Sequence, residues 1–233
     1  MAFAGGKTTV YEGGLRVPMV VRNPYVKKRG TESFALISHI DITPTLLDFA
    51  DGLDSAKNAP KNMIDPDQFW KERDEAVKEN RDGNKDFDHY HGKSWLHCLS
   101  NPKETHHDTV FASHTFHEIQ MYYPMRVVRD AKYKLIWNIA HPLPYPFASD
   151  LWAASSWQAQ WAKGMDAPYG NMTVARYIQR PKFELYDMYR DPNETTNLAD
   201  SNEHKTVLEN YKAKLKQMQK EMDDPWIMKW DYE

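Results

Sequence analysis

The sequence contains a single cysteine, Cys98, among 233 residues, and this excludes an internal disulfide. No apolar run approaches the roughly 18 consecutive residues that a membrane-spanning helix needs. The N-terminus has neither the charged segment nor the apolar segment of an export signal. We therefore expect no membrane association and no export signal in this chain. Cys98 is interpreted as a small apolar residue of a short helix, with a reactive thiol as the alternative.

The chain also lacks an excess of charge of either sign, since 30 basic and 33 acidic residues give a formal charge of -3. No overall field favours nucleic acid or an anionic membrane as a partner, and a polyanionic substrate would need a local patch. Hydrophobic residues make up 41% of the sequence and aromatic residues 13%. This composition predicts a folded chain with one substantial core, or one core and a smaller fragment.

The second half has the pattern of a sheet backed by a helix. Four segments are rich in β-branched and aromatic residues: Val110–Phe116, Met125–Arg129, Tyr133–Trp137 and Phe183–Tyr186. Residues 130–132 predict a tight link between the second and third. From about Glu203 to Met222, apolar residues recur at steps of three and four. We predict an antiparallel sheet of about four strands packed on this long C-terminal helix.

The first half is less regular. The apolar run Val17–Val21, bounded by prolines, predicts a short buried strand. Asp41 or Thr43 is predicted to cap a helix that holds Pro44 in its first turn and ends near Gly52. The polar stretch that follows is interpreted as a surface excursion without chemistry.

Three segments carry a resemblance to the sulfatase family. Gly6–Pro18 reads GKTTVYEGGLRVP and resembles the sulfatase stretch in which a lysine precedes Glu-Gly-Gly-x-Arg-Val-Pro. His39–Asp48 resembles the family's Asp-hydrophobic-x-Pro-Thr-Leu helix, and Glu184–Ala199 resembles its C-terminal strand and turn. The segments follow the family's order and spacing, so the resemblance covers nearly the whole chain.

The middle of the chain indicates a branch of this family. Ser113–Arg126 reads SHTFHEIQMYYPMR and is similar to the His-Glu and Tyr-Pro-Met-Arg segment of heparan N-sulfatases. Asp223–Trp226, DDPW, is similar to the same branch. The substrate class that this resemblance implies is a sulfated glycan, with N-sulfated glucosamine favoured over sulfate esters.

The resemblance implies an α/β fold, with this chain as the C-terminal remnant of an alkaline-phosphatase-like sulfatase domain followed by the small antiparallel sheet. Residues 1–52 would end the catalytic domain, residues 53–105 would be a surface excursion and linker, and residues 106–233 would form a C-terminal subdomain. The partner would be the missing N-terminal half, and a homo-oligomer is an open alternative. The parent enzyme would be periplasmic, extracellular or lysosomal.

The family's chemistry uses a formylglycine, made from Cys or Ser in a Cys/Ser-x-Pro-x-Arg motif, and a divalent cation, commonly calcium. The sequence contains no such motif, because Cys98 is followed by Leu-Ser-Asn and no serine begins one. We expect calcium and formylglycine in the complete enzyme, no cofactor in this chain, and no activity of this chain by itself. The alternative is a non-catalytic product, or a subunit that completes a partner sulfatase half.

Three residues are candidates for the site by resemblance. The ammonium of Lys7 would contact a sulfate oxygen in catalysis, and its alternative is a solvated lysine on a glycine-rich loop. His117 and Glu118 would border the sugar pocket and bind hydroxyl or amino groups, and their alternative is a polar strand end in a surface loop.

Two further clusters are assigned no chemistry. His106, His107, His114 and His117 lack the tight ligand spacing of zinc sites, so we predict no metal ligand among them. Trp152, Trp157 and Trp161 could form a sugar-stacking wall, but core packing against the sheet is favoured.

Overall fold

A computed structural model describes residues 5–27, 29–56, 91–118 and 121–232. Most of the predicted surface excursion therefore lies outside the described residues. The chain divides into two compact units, one formed by Met1–Met19 with Thr109–Glu233 and the other by Val20–Asp108.

Within the described residues, all strands lie in the first unit. In chain order they are β1 (Val110–Phe116), β2 (Tyr122–Arg129), β3 (Tyr133–Asn138), β4 (Pro168–Tyr169), β5 (Met172–Thr173) and β6 (Phe183–Asp187). Strands β1, β2, β3 and β6 form one antiparallel sheet in that order, and β4 pairs with β5. The turn between β2 and β3 is tight because the Asp130 side chain accepts backbone hydrogen bonds from Lys132 and Tyr133, at 2.8 and 2.9 Å. The predicted four-stranded sheet is thus confirmed.

Two of the helices in the described ranges are long, and the others are short. In chain order they are α1 (Glu12–Leu15), α2 (Ile42–Ala56), α3 (Leu96–Ser100), α4 (Ser149–Ala153), α5 (Ser155–Trp161), α6 (Val174–Ile178), α7 (Lys205–Glu221) and α8 (Lys229–Tyr232). Turns of 3-10 helix occupy His39–Asp41, Asn202–His204 and Pro225–Met228. In the described part of the chain, no helix has both the length and the apolar composition to cross a membrane.

The long helix α7 packs on one face of the sheet, as its apolar period predicts. Leu208, Tyr211 and Leu215 are buried against Val128 and Leu135 of the sheet. Neighbouring residues of a strand point to opposite faces of a sheet. Val127, the residue before Val128, is accordingly buried in a second core on the opposite face. The sheet therefore has a core on each side.

The second core is built from the N-terminal segment and the insert between β3 and β6. Trp157 is fully buried there, in ring contact with Tyr169 and Tyr177. Core packing, the interpretation favoured from the sequence, is confirmed for this tryptophan. Trp152 and Trp161 differ, because about two fifths of each remains exposed, 43% and 40%.

The unit Val20–Asp108 contains α2 and α3. The N-cap of the helical segment is Ser38, and not Asp41 or Thr43 as predicted. Asp41 completes a capping box three residues later, because its carboxylate accepts a 2.7 Å hydrogen bond from the Ser38 amide. The described part of helix α2 reaches Ala56, beyond the predicted end near Gly52. A Cβ atom on Gly92 would lie 2.2 Å from the Ile40 carbonyl oxygen, so this glycine permits close approach of two backbones.

The predicted strand Val17–Val21 is wrong, because these residues are irregular. Pro18 cannot donate to a ladder, and the segment pairs with no strand within the described ranges. Val20 is 97% exposed, so the apolar composition of the run does not reflect burial here.

Candidate functional site

The loop that carries Lys7 is a compact turn built on its own backbone. The Thr9 hydroxyl donates to the carbonyl oxygens of Gly5 and Gly6, at 2.6 and 2.8 Å. Thr8 has a positive φ of 70°, a conformation that costs free energy in a residue with a β-branched side chain. The surrounding contacts must therefore stabilise the loop.

The paired glycines of the motif let α1 pack under this loop. A Cβ atom on Gly14 would lie 2.3 Å from the Thr9 carbonyl oxygen and 2.7 Å from that of Gly6. A Cβ atom on Gly13 would lie 3.0 Å from the Gly5 carbonyl oxygen. Gly14 is thus required by the close contact between helix and loop, and Gly13 is required less strictly.

Tyr11 anchors the loop to the sheet. Its hydroxyl donates to Glu184 of β6, with 3.0 and 3.1 Å to the two carboxylate oxygens. Glu184 also accepts hydrogen bonds from Tyr186 and from Asn138, the latter at 2.8 Å. Burial, followed by the charge of Glu184, raises the pKa of Tyr11 well above its ordinary value. Tyr11 therefore remains a neutral hydrogen-bond donor.

A second anchor is a buried ionic cluster around Lys134, whose side chain is fully buried. Its Nζ lies 2.7 Å from Glu194 Oε1 and 3.2 Å from Glu12 Oε1. Glu194 also accepts a 2.6 Å hydrogen bond from the Glu12 amide, at the start of α1. Burial raises the pKa of Glu194, although the nearby Lys134 opposes this. The cluster fixes α1, and so the Lys7 loop, against β3.

Arg180 supports the loop from the insert. Its guanidinium is fully buried and stacks on Tyr145, with 3.6 Å from Cζ to the ring centroid. The Tyr145 hydroxyl donates to the Thr8 carbonyl oxygen at 2.5 Å. The strained residue next to Lys7 is thereby connected to the core.

Lys7 itself reaches the insert. Its ammonium lies 2.8 Å from Asp150 Oδ2, and both side chains are partly exposed. The hydrogen bond from Lys7 is the main cause that lowers the pKa of Asp150. Sequence reasoning missed Asp150, because nothing in its local pattern indicates a contact 143 positions away.

Glu118 approaches the same helix start. Its carboxylate oxygens lie 3.4 Å from Ser149 Oγ and 3.5 Å from the Ser149 amide nitrogen. Ser149 is the residue before Asp150. Glu118 has a positive φ of 59°, and His117 Nε2 lies 4.0 Å from its Oε1. The first turn of α4 thus contacts both the predicted catalytic lysine and Glu118, one of the two predicted sugar-binding residues.

The four histidines considered together from the sequence divide between the two units. His114 and His117 belong to the sheet unit, and His114 Nδ1 bonds to the Tyr123 carbonyl oxygen at 3.1 Å. Burial lowers the pKa of His114, so it is neutral at pH 7. His106 and His107 lie in the other unit, together with Asp41.

The calcium implied by the family resemblance does not match the donor groups of the described residues. Calcium takes about six to eight oxygen ligands. Two groups in the described part of the chain bring three potential ligands close together: His97 with Cys98 and His106, and Asp41 with His106 and His107. Each group contains nitrogen or sulfur donors, so neither fits calcium.

The described geometry brings different kinds of polar and aromatic group to the start of α4. Lys7 supplies positive charge, His117 and Glu118 supply hydrogen-bonding groups, and the exposed Trp152 of α4 supplies an aromatic face. The described site has no nucleophile that resembles the one in a sulfatase.

Comparison with known proteins shows a similarity to sulfatases. Residues 1–53 match the family model described as Sulfatase. Over 228 residues the chain is 32% identical to N-sulphoglucosamine sulphohydrolase of Homo sapiens, covering 97% of this chain and 40% of that protein. It is 28% identical over 210 residues to the ulvan-active sulfatase of Formosa agariphila, covering 88% of this chain and 33% of the relative. The resemblance to sulfatases, and to heparan N-sulfatases among them, is confirmed.

The chain spans about two fifths or less of the length of these relatives, 40% and 33%, which is consistent with a C-terminal portion. One solved structure, a complex of a protein with its substrate D-glucosamine-2-N,6-O-disulfate, has a TM-score of 0.49 and 18% identity. It is matched over 88% of this chain and 28% of that chain. A sulfatase structure from Bacteroides thetaiotaomicron has a TM-score of 0.38 and 19% identity, over 60% of this chain and 22% of that chain.

Proposed function

We propose that this chain is the C-terminal part of a sulfatase that hydrolyses sulfamates or sulfate esters of glycans, with N-sulfated glucosamine as the favoured unit. The observation that carries the proposal is the 32% identity to human N-sulphoglucosamine sulphohydrolase along 97% of this chain. The Lys7 loop, which Tyr11 and the Lys134 cluster hold in place, is consistent with this proposal. It positions an ammonium group, and a sulfate group needs concentrated positive charge.

In this proposal Lys7 acts on the sulfate group. Its ammonium contacts a sulfate oxygen and offsets the charge that develops on the transferred group. Asp150 holds the ammonium at the start of α4 through their 2.8 Å ion pair before substrate binds. The anchors at Tyr11 and Glu12 keep the loop in this position, so that little reorganisation accompanies binding.

Glu118 and His117 act on the sugar. A carboxylate and an imidazole can bind the hydroxyl or amino groups of a glucosamine ring. Trp152, which is 43% exposed and lies on the same helix as Asp150, offers a face for the apolar side of that ring. These groups determine which substrate binds, whereas Lys7 serves every sulfated substrate.

The nucleophile and the calcium would come from a polypeptide segment other than this one. Formylglycine supplies the attacking oxygen when present, and calcium supplies further charge. The 233-residue chain is therefore inactive by itself in this proposal. A parent enzyme that degrades sulfated glycans would act in a periplasmic, extracellular or lysosomal compartment.

The test begins with the DNA upstream of the Met1 codon. We expect an in-frame segment that encodes the formylglycine motif Cys/Ser-x-Pro-x-Arg. It should also encode an Asp-Asn-Gly sequence shortly before Lys7, because the family's cation is held by an Asp-Asn pair. The longer polypeptide should release sulfate from N-sulfoglucosamine, and the 233-residue chain should not. Absence of turnover by the longer polypeptide on both N-sulfoglucosamine and an aryl sulfate would overturn the proposal. Without such an upstream segment, activity on mixing with a separate sulfatase half would support the subunit alternative.

A further inference from the structure

A cluster of side chains that could bind a metal lies in the unit Val20–Asp108. His97 and Cys98 belong to α3, and His106 lies in the segment that follows this helix. One potential ligand atom from each of the three lies within 4.8 Å of the others. His97 Nε2 and Cys98 Sγ are 3.4 Å apart.

His106 is a buried histidine whose ring nitrogens have no hydrogen-bond partner, which points to a missing ligand. Its side chain is fully buried, yet neither ring nitrogen makes a hydrogen bond. Leaving a buried polar group without a partner costs about 1–3 kcal/mol. Native proteins therefore rarely keep such a group unless an ion or a water molecule satisfies it.

We propose that His97, Cys98 and His106 bind a divalent transition metal ion, and that zinc is the ion that fits best. Zinc is the common metal for mixed histidine and cysteine ligands. A tetrahedral zinc ion with bonds of about 2.0–2.3 Å places its ligand atoms roughly 3.3–3.8 Å apart. The 3.4 Å separation of His97 Nε2 and Cys98 Sγ already satisfies this spacing.

Zinc binds a neutral imidazole and a thiolate, so the Cys98 thiol must lose its proton when the ion binds. Binding converts this thiol into a zinc thiolate and releases one proton to solvent.

Asp41 contacts both His106 and His107. Its Oδ2 lies 3.4 Å from His106 Nε2, and its two oxygens each lie 2.9 Å from His107 Nε2. A carboxylate beside one imidazole nitrogen orients the ring and leaves the other nitrogen, Nδ1, for the metal. Asp41 and His107 are therefore positioning residues, and the ion would join α3 to the segment that follows it.

Cobalt and zinc titration of the metal-free 233-residue chain tests the site. We expect one ion per chain and a near-ultraviolet thiolate-to-cobalt absorption band. Cys98→Ser should abolish the band, and both this change and His106→Gln should weaken zinc binding on the order of 100-fold. His91→Gln, an exposed histidine outside the cluster, is the matched control and should leave affinity unchanged. Circular dichroism establishes that each variant is folded.

X-ray absorption of the zinc-loaded wild-type chain keeps the proposal testable if the variants do not fold. It should report one sulfur at about 2.3 Å and nitrogen ligands at about 2.0 Å. A zinc shell without sulfur overturns the proposal. So does a pattern in which His107→Gln abolishes binding while Cys98→Ser retains it, since the ion would then sit among Asp41, His106 and His107. None of these outcomes depends on sulfatase activity.

Discussion

Lys7 and Asp150 form an ion pair of 2.8 Å across 143 positions of the chain. The pair joins the loop of the sulfatase-like motif to the start of α4, where Ser149 also meets Glu118. The start of α4 thus links Lys7 and Glu118, whose predicted roles differ: Lys7 acts on the sulfate group and Glu118 on the sugar.

Replacing Lys7 by alanine should slow the complete enzyme on every sulfated substrate. The ammonium acts on the sulfate group, so its loss removes transition-state stabilisation of about 100-fold to 1,000-fold. The measurement is kcat/KM on N-sulfoglucosamine and on an aryl sulfate. Lys163→Ala, an exposed lysine of the same unit, is the control and should retain activity. Normal aryl sulfate turnover by Lys7→Ala would show that the lysine does not contact sulfate.

Replacing Glu118 by glutamine should affect only the sugar substrate. Removal of a hydrogen bond to a charged pocket group costs about 1.5–3 kcal/mol, or roughly tenfold to a hundredfold in kcat/KM. An aryl sulfate has no sugar and should react at nearly the wild-type rate. Glu209→Gln on the exposed side of α7 serves as the control. Equal losses on both substrates would mean that Glu118 is structural.

The sequence predicts those parts of the fold whose pattern is local. The four strands of the sheet and α7 follow from β-rich segments and from an apolar period of three and four residues. The resemblance predicts Lys7, His117 and Glu118 as site residues, but it does not indicate Asp150, whose contact with Lys7 spans 143 positions. Val17–Val21 was wrongly predicted as a strand, since an apolar run does not specify a pairing partner.

Gly14→Ala should destabilise the 233-residue chain more than Gly13→Ala. Both glycines lie in α1, so the gain in helix propensity is the same. Only the new Cβ at position 14 would overlap backbone oxygens, at 2.3 and 2.7 Å. We expect an additional loss of about 1–3 kcal/mol in the free energy of unfolding, measured in urea. Equal stability of the two variants would argue against close packing of the loop on α1.

Lys134→Met should be strongly destabilising. It leaves Glu12 and Glu194 buried without their common cation, and breaking a buried ion pair costs about 3–5 kcal/mol. Lys132→Met, at an exposed position of the same hairpin, should change stability little. Urea unfolding compares the two variants. A loss for Lys134→Met no larger than that of the control would contradict the ionic anchor.

Asp224 should contribute to stability in a pH-dependent way. Burial opposes its ionisation, but hydrogen bonds from Arg126, Gln219 and the Trp226 amide lower its pKa overall. A carboxyl with a lowered pKa in the folded state stabilises the protein above its unfolded pKa, about 3.9. That stabilisation is lost as the pH falls through the folded pKa.

The wild type should therefore be more stable than Asp224→Asn from pH 7 to about 5, and the difference should shrink below about pH 4. Urea unfolding at several pH values measures this difference. Asp231→Asn, a more exposed carboxylate near the C-terminus, should show no comparable trend. A constant difference down to the lowest pH would exclude linkage at Asp224.

The anchors of the Lys7 loop also impose an order on folding. Tyr11 bonds to Glu184 across 173 positions, and Glu12 bonds to Glu194 across 182. Contacts between such distant residues form late, because closing a long loop costs entropy before it yields binding energy. During synthesis on the ribosome, the Lys7 loop is made well before β6. The loop therefore lacks its hydrogen bond to Glu184 until that strand emerges. Premature termination anywhere before Glu184 would therefore leave Lys7 without the anchor at Tyr11.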